Sequence, residues 1–128
     1  MKTHALAAVL LFHVFALGTA YAHGDHPASH GGVVGRGDDA MVAEFVMEKG
    51  TLAVYVQDEA GKPLPAKDVT ASVILMPPQK PAQEVKLVRV SDVKFTAPEL
   101  RPSPGDRVRA RIKLPTGEQM ESVALLPR

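Results

Sequence analysis

Between Arg107 and Leu114 the chain reads RVRARIKL, cation and aliphatic in strict turn. Successive side chains of a β-strand point to opposite faces, so a period of two is the period of a half-buried strand. Val108, Ala110, Ile112 and Leu114 are expected to face a core, and Arg107, Arg109, Arg111 and Lys113 to face away. The same period governs nearly everything after Ala40. In MVAEFVMEK, Met41, Ala43, Phe45 and Met47 share one face, and Glu44 and Glu48 share the other. In TLAVYVQD, Leu52, Val54 and Val56 alternate with Thr51, Tyr55 and Gln57, and Lys49-Gly50 between the two segments makes a tight hairpin reversal. DVTASVILM puts Val69, Ala71, Val73 and Leu75 on a core face. EVKLVRV, DVKFTA and EQMESVALL complete the set, although both alternations of the last contain apolar residues.

Punctuation separates these segments. Gly61, Pro63 and Pro65 forbid a helix after the hairpin, Pro77-Pro78 ends the third segment, and PELRPSPGD is a Pro-rich connection. About seven short strands at regular spacing, with no helical stripe, predict an all-β domain over residues 40–128. The expected architecture is an antiparallel β-sandwich, immunoglobulin-like or, because YVQDEAGKPLPAKDVTASVIL resembles transthyretin-like sandwiches, transthyretin-like.

The first 22 residues read differently. Lys2 precedes an apolar run from Ala5 to Leu17, followed by Ala20 and Ala22 in an A-x-A arrangement. This is the pattern of a secretory signal peptide, a short helix cut after Ala22. The run is shorter than the roughly 20 residues of a spanning helix, so no stable membrane span is expected after cleavage. Removing 22 of the 128 residues leaves 106, enough for one small domain. Lys2 is the only charge removed, so the remainder balances 14 basic against 14 acidic residues, a composition that does not favour a nucleic-acid partner. The chain has no cysteine, hence no disulfide, no thiolate metal site and no lipid attachment through that residue. A soluble exported protein is the expectation, and the signal style together with the family resemblance given below implies the periplasm.

Residues 23–39 form a flexible His/Gly-rich leader in this reading, with five glycines and few large side chains. VVGRG within it offers at most a short edge strand. The leader holds His23, His26 and His30, and no histidine follows. Imidazole is the commonest metal ligand near neutral pH. Cleavage after Ala22 would also give His23 a free α-amine, able to chelate together with its own Nδ1. One further imidazole, from His26 or His30, would make an all-nitrogen set suited to Cu(II). Zn(II) or Ni(II) could use the imidazoles with Asp25. The same string also reads as a polar leader that keeps the cleavage site accessible.

Other features carry less. Met41 and Met47 fall on the apolar face of their strand and read as core rather than as Cu(I) ligands. The Arg107–Lys113 ridge reads first as a solvated strand face that discourages edge aggregation, and second as a docking face for an acidic partner or anionic lipid. Arg36-Gly37-Asp38 is a tripeptide that recurs by chance. After Ala22 no histidine lies outside the leader to serve as a general base in a cleft, and there is neither a cysteine nucleophile nor a G-x-S-x-G segment, so no enzymatic activity is expected.

The run from His30 to Leu75, HGGVVGRGDDAMVAEFVMEKGTLAVYVQDEAGKPLPAKDVTASVIL, resembles a group of small exported bacterial proteins. Their pattern is H-G-G, an E-[FL]-V strand, and a Y-[VL]-x-D-x-x-G-K-P stretch, and similar segments occur in periplasmic adaptor subunits of heavy-metal efflux pumps. The resemblance picks out His30, Gly31, Gly32, Glu44, Tyr55, Asp58, Gly61, Lys62 and Pro63. Of these, His30 and Glu44 carry metal-ligating groups, and Glu44 lies on the polar face of its strand, where it could meet the leader. The implied function is a metal-binding or metal-handling accessory protein, with copper ahead of zinc and nickel, and a metal ion and an efflux adaptor or other envelope protein as partners. The rival expectation is a non-catalytic envelope interaction module with no metal.

Overall fold

The computed structural model describes residues 27–38, 40–64 and 68–128. The signal-peptide reading of residues 1–22, and His23, Asp25 and His26, lie outside the described residues. Ten strands follow in chain order: β1 (Val33–Val34), β2 (Arg36–Gly37), β3 (Val42–Glu48), β4 (Thr51–Gln57), β5 (Thr70–Met76), β6 (Gln83–Lys86), β7 (Val88–Arg89), β8 (Lys94–Ala97), β9 (Arg107–Lys113) and β10 (Gln119–Leu125). They form two five-stranded sheets, ordered β1-β3-β4-β8-β7 and β2-β10-β9-β5-β6, with every pairing antiparallel. Among the described residues there is no helix, and so none long and apolar enough to cross a membrane. The architecture is a β-sandwich.

Each of the seven expected segments becomes strand, and two of the expected strand-like stretches are divided between the sheets. EVKLVRV pairs with β5 up to Lys86, Leu87 turns into the core, and Val88 continues against β8 in the opposite sheet. VVGRG crosses in the same way: Val33 and Val34 pair with β3, while Arg36 and Gly37 pair with β10. The crossing point is Gly35, where a Cβ would run into the Ser122 hydroxyl and come within 2.9 Å of the Phe45 ring. Among the described residues strand structure thus begins at Val33, ahead of the boundary at residue 40 that composition suggests.

The alternation chooses the core. Ala43, Phe45, Leu52, Val54 and Val56 of one sheet meet Ala71, Val73, Val108, Ala110 and Ile112 of the other, all nearly inaccessible to solvent. Burying a side chain of valine or leucine size contributes roughly 1.5–3 kcal/mol, so these facing rows are the main source of stability in a chain without disulfides. Lys49 (φ 51°) and Gly50 (φ 79°) both take left-handed backbone angles, as a two-residue hairpin turn of the type that matches strand twist requires. The register it fixes, Glu48 with Thr51 and Glu44 with Tyr55, decides which outward side chains become neighbours.

Candidate functional site

Glu44 stands in the middle of β3 on the face turned away from the core, and yet it is only 5% exposed. Residues 29–32 cover it. Val33 and Val34 pair with Phe45 and Glu44, which lays the preceding residues across the carboxylate. The N–H of Ser29 donates to Oε1 at 2.9 Å, the N–H groups of His30 and Gly32 donate to Oε2 at 2.9 Å each, and His30 Nδ1–H donates to Oε1 at 3.0 Å. The approach is close enough that a Cβ on Gly32 would collide with the Phe45 carbonyl and the Val46 side chain. Burial pushes the Glu44 carboxyl up, but the donors outweigh it: Gly32, the His30 ring, and the Ser29 and His30 backbone together hold it below the ordinary carboxylate value. The group is therefore an anion at neutral pH, and the entering chain is wrapped around it.

The imidazole of His30 is fixed from a second direction. It stacks on Tyr55, with ring centroids 3.6 Å apart and planes 11° from parallel. Tyr55 is the β4 partner of Glu44, so one carboxylate and one aromatic ring on the same cross-strand rung determine the position and the tilt of the imidazole. With Nδ1–H committed to a carboxylate, the neutral ring carries its lone pair on Nε2. That is the arrangement in which metal-ligating histidines are commonly held, because the carboxylate fixes the tautomer and raises ligand basicity.

Behind the stack lies a second polar cluster. The Tyr55 hydroxyl donates to Glu48 Oε1 at 2.6 Å, and Lys94 Nζ donates to Glu48 Oε2 at 2.7 Å. Lys94 is the β8 partner of Tyr55, and its ammonium also lies 5.6 Å from the centre of the tyrosine ring. The Lys94 ammonium, then the Tyr55 hydroxyl, hold Glu48 below the ordinary range; in return the Glu48 carboxylate raises both the Tyr55 phenol and the Lys94 ammonium. Glu48 stands two rungs from Glu44 on the same face, with the buried Val46–Ala53 pair between.

In front of His30 is a small cleft of about 150 Å³ bordered by Pro27, Tyr55, Gln57 and the turn that carries Asp58 and Glu59. Asp58 Oδ1 is used locally, accepting from the N–H groups of Ala60 and Lys62. Among the described residues no three His, Asp or Glu side chains converge closely enough to hold a metal ion by themselves. Of the five sequence-proposed ligands, the fold brings His30 and Glu44 into contact. Pro27, the residue after His26, lines the same cleft.

Sequence reasoning singled out Tyr55 without assigning it a role, and it missed Glu48 and Lys94 as its partners. One signal was present: a two-residue turn at Lys49-Gly50 dictates that Glu44 and Tyr55 share a rung. The Lys94 partnership depends on β8, 39 residues beyond Tyr55, and no local pattern announces it. In comparison with known proteins, the chain significantly matches no family model, no curated protein and no solved structure.

Proposed function

We propose that this chain is an exported, non-catalytic metal-handling protein of the periplasm, copper first and zinc or nickel next, working beside a metal-efflux adaptor or another envelope protein. The observation that carries the reading is the double restraint on His30, whose Nδ1–H is held by Glu44 at 3.0 Å while the ring is stacked on Tyr55. A histidine in a polar leader has no need of a buried carboxylate; a histidine whose Nε2 must be presented in one direction does. In this reading His30 supplies an imidazole, and His23, through amine and ring, supplies the chelate, with His26 as the alternative imidazole and Asp25 as a source of oxygen. Glu44 serves the site chiefly through His30, because its oxygens already accept four donors.

We also propose that the sandwich is of the immunoglobulin type. Its strand order supports this: β3-β4-β8-β7 and β10-β9-β5-β6 reproduce the A-B-E-D and G-F-C-C′ neighbours of that fold, with β1 and β2 added at the two edges.

The test uses a feature of composition. There is no tryptophan, and Tyr55 is the only tyrosine after Tyr21, so tyrosine emission from the chain beginning at His23 comes from the ring stacked on His30. Titration with Cu(II) should quench that emission with sub-micromolar affinity and give nitrogen hyperfine structure in the EPR spectrum. His30→Ala should weaken binding, and one extra residue ahead of His23 should remove the tightest phase. If Cu(II), Zn(II) and Ni(II) all fail to bind below the micromolar range, the metal reading is wrong and the metal-free interaction module stands in its place.

A further inference from the structure

The outer face of the other sheet carries an unbalanced charge that the metal reading does not use. Its rungs follow from register. Leu125, Arg107 and Met76 form one; Val123, Arg109, Ile74 and Glu84 the next; Glu121, Arg111, Ser72 and Lys86 the third; Gln119, Lys113 and Thr70 the last. Arg36 extends the second rung beyond Val123. Six cations thus share a face with Glu84 and Glu121, and Asp38 sits at its rim with its carboxylate turned to the Glu121 N–H.

Both acids lie beside Arg111, and Glu121 reaches Arg109 with its other oxygen. Arg111 lies 3.0 Å from Glu121 and 3.6 Å from Glu84. Arg109 is left with its Nε 3.8 Å from Glu121, screened from solvent and without a hydrogen-bond acceptor among the described residues. Arg107 is exposed and has no carboxylate partner among them. These two arginines are also the ones flanked by apolar side chains, Leu125 (60% exposed) and Met76 on one rung, Val123 and Ile74 on the other. The face is therefore divided: one half holds Arg111 between Glu84 and Glu121, and the other is amphiphilic, with guanidinium and hydrocarbon alternating at the roughly 5 Å spacing of adjacent strands.

We infer that this half is a docking surface for an anionic phospholipid layer. A ligand that satisfies it must offer negative charge and apolar surface within one strand spacing over a flat area. Phosphate headgroups above a glycerol and acyl region do so anywhere on their surface, whereas an acidic polypeptide would need carboxylates and apolar side chains interleaved at that one spacing. Docking there would leave the His30 face, on the opposite sheet, turned to the aqueous side.

The test uses the chain from His23 onward, which keeps both sheets whole, sedimented with vesicles of phosphatidylcholine alone or with one part in three of phosphatidylglycerol. Binding is expected for the anionic vesicles only and should fall as salt is raised. Arg107→Gln should weaken it about fivefold, the effect of one basic residue at an anionic surface. Leu125→Ser should weaken it by a similar factor, while Lys49→Gln, in the turn of the other sheet, should leave it unchanged. Thermal melting of each variant confirms folding. Equal binding to neutral vesicles, binding to neither, or identical behaviour of Arg107→Gln and Lys49→Gln would overturn the inference. So would displacement from the vesicles by soluble poly-glutamate without loss in Leu125→Ser, which would assign the face to an acidic protein.

Discussion

Replacing Glu44 by glutamine tests the central feature of the candidate site. The carboxylate accepts three backbone N–H groups and one imidazole N–H, all at 2.9–3.0 Å. Hydrogen bonds to a charged group contribute about 1.5–3 kcal/mol each. An amide of the same shape keeps one acceptor oxygen, which serves two donors at most, and turns its own NH₂ toward the others. Losing two such bonds outright would cost about 3–6 kcal/mol, but residues 29–32 can lift off and take water instead, so a loss of about 2–3 kcal/mol is expected. Urea denaturation at neutral pH measures it. The pH dependence identifies the cause. Glu44 is held below its ordinary value near 4.5 in the folded chain, so its contribution is complete above that value, declines as pH falls below it, and is gone once pH passes under the folded-state value. Other carboxylates are common to both proteins, so the gap between wild type and Glu44→Gln should close on acidification. Amide exchange at Ser29, His30 and Gly32 should be slow in wild type and fast in the variant. A gap independent of pH, or unchanged exchange at those three amides, would refute the account.

Two further substitutions address neighbouring parts of the structure. Glu48→Gln removes the charge that raises the Tyr55 phenol, so the tyrosine should titrate closer to its ordinary pKa of about 10, read by ultraviolet difference absorbance; no change would mean that the 2.6 Å contact is not kept in solution. Gly35→Ala forces a methyl group against Ser122 and Phe45 at the crossing between sheets and should destabilise by about 1–3 kcal/mol, with raised exchange in β1 and β2, as measured by urea denaturation and amide exchange.

Period-two patterning places most of the core because a strand with one buried face leaves no freedom of register: slipping by one residue would expose Val108, Ala110 and Ile112 together. The pattern fails at Met47, which it assigns to the core and which is 41% exposed near the end of β3. It was silent for β10, where the polar Ser122 lies on the buried face beside Met120 and Ala124, and the choice is made across the sheet by the pairing of Met120 with Ile112. It also could not show that Glu44 is buried. A glutamate alternating with apolar residues reads as solvent-facing, and what covers it here is backbone N–H from a Gly-rich stretch, groups every residue possesses and no side-chain pattern encodes. The glycines were visible, and their physical use was not: Gly32 and Gly35 are small because the chain passes within contact distance of Phe45 and Val46 at one point and of Ser122 at the other.

The geometry makes one demand on the leader that can be tested by changing length alone. Pro27 borders the cleft in front of His30, and four residues separate it from the expected new terminus, His23 included. Four extended residues reach about 13–14 Å, and the metal reading requires that within this length the amine and ring of His23 return to the Nε2 side of His30. Inserting four Gly and Ser residues between His26 and Pro27 doubles that segment and should weaken Cu(II) binding only about threefold, the loop-closure effect of one doubling. Adding one residue ahead of His23 leaves the reach almost unchanged but removes the amine as the six-membered-ring partner of the imidazole, and should weaken binding far more. The two insertions move length and chemistry separately. If the spacer is the more damaging, the metal is held by a rigid arrangement of the leader and not by a terminal chelate returning to a fixed imidazole.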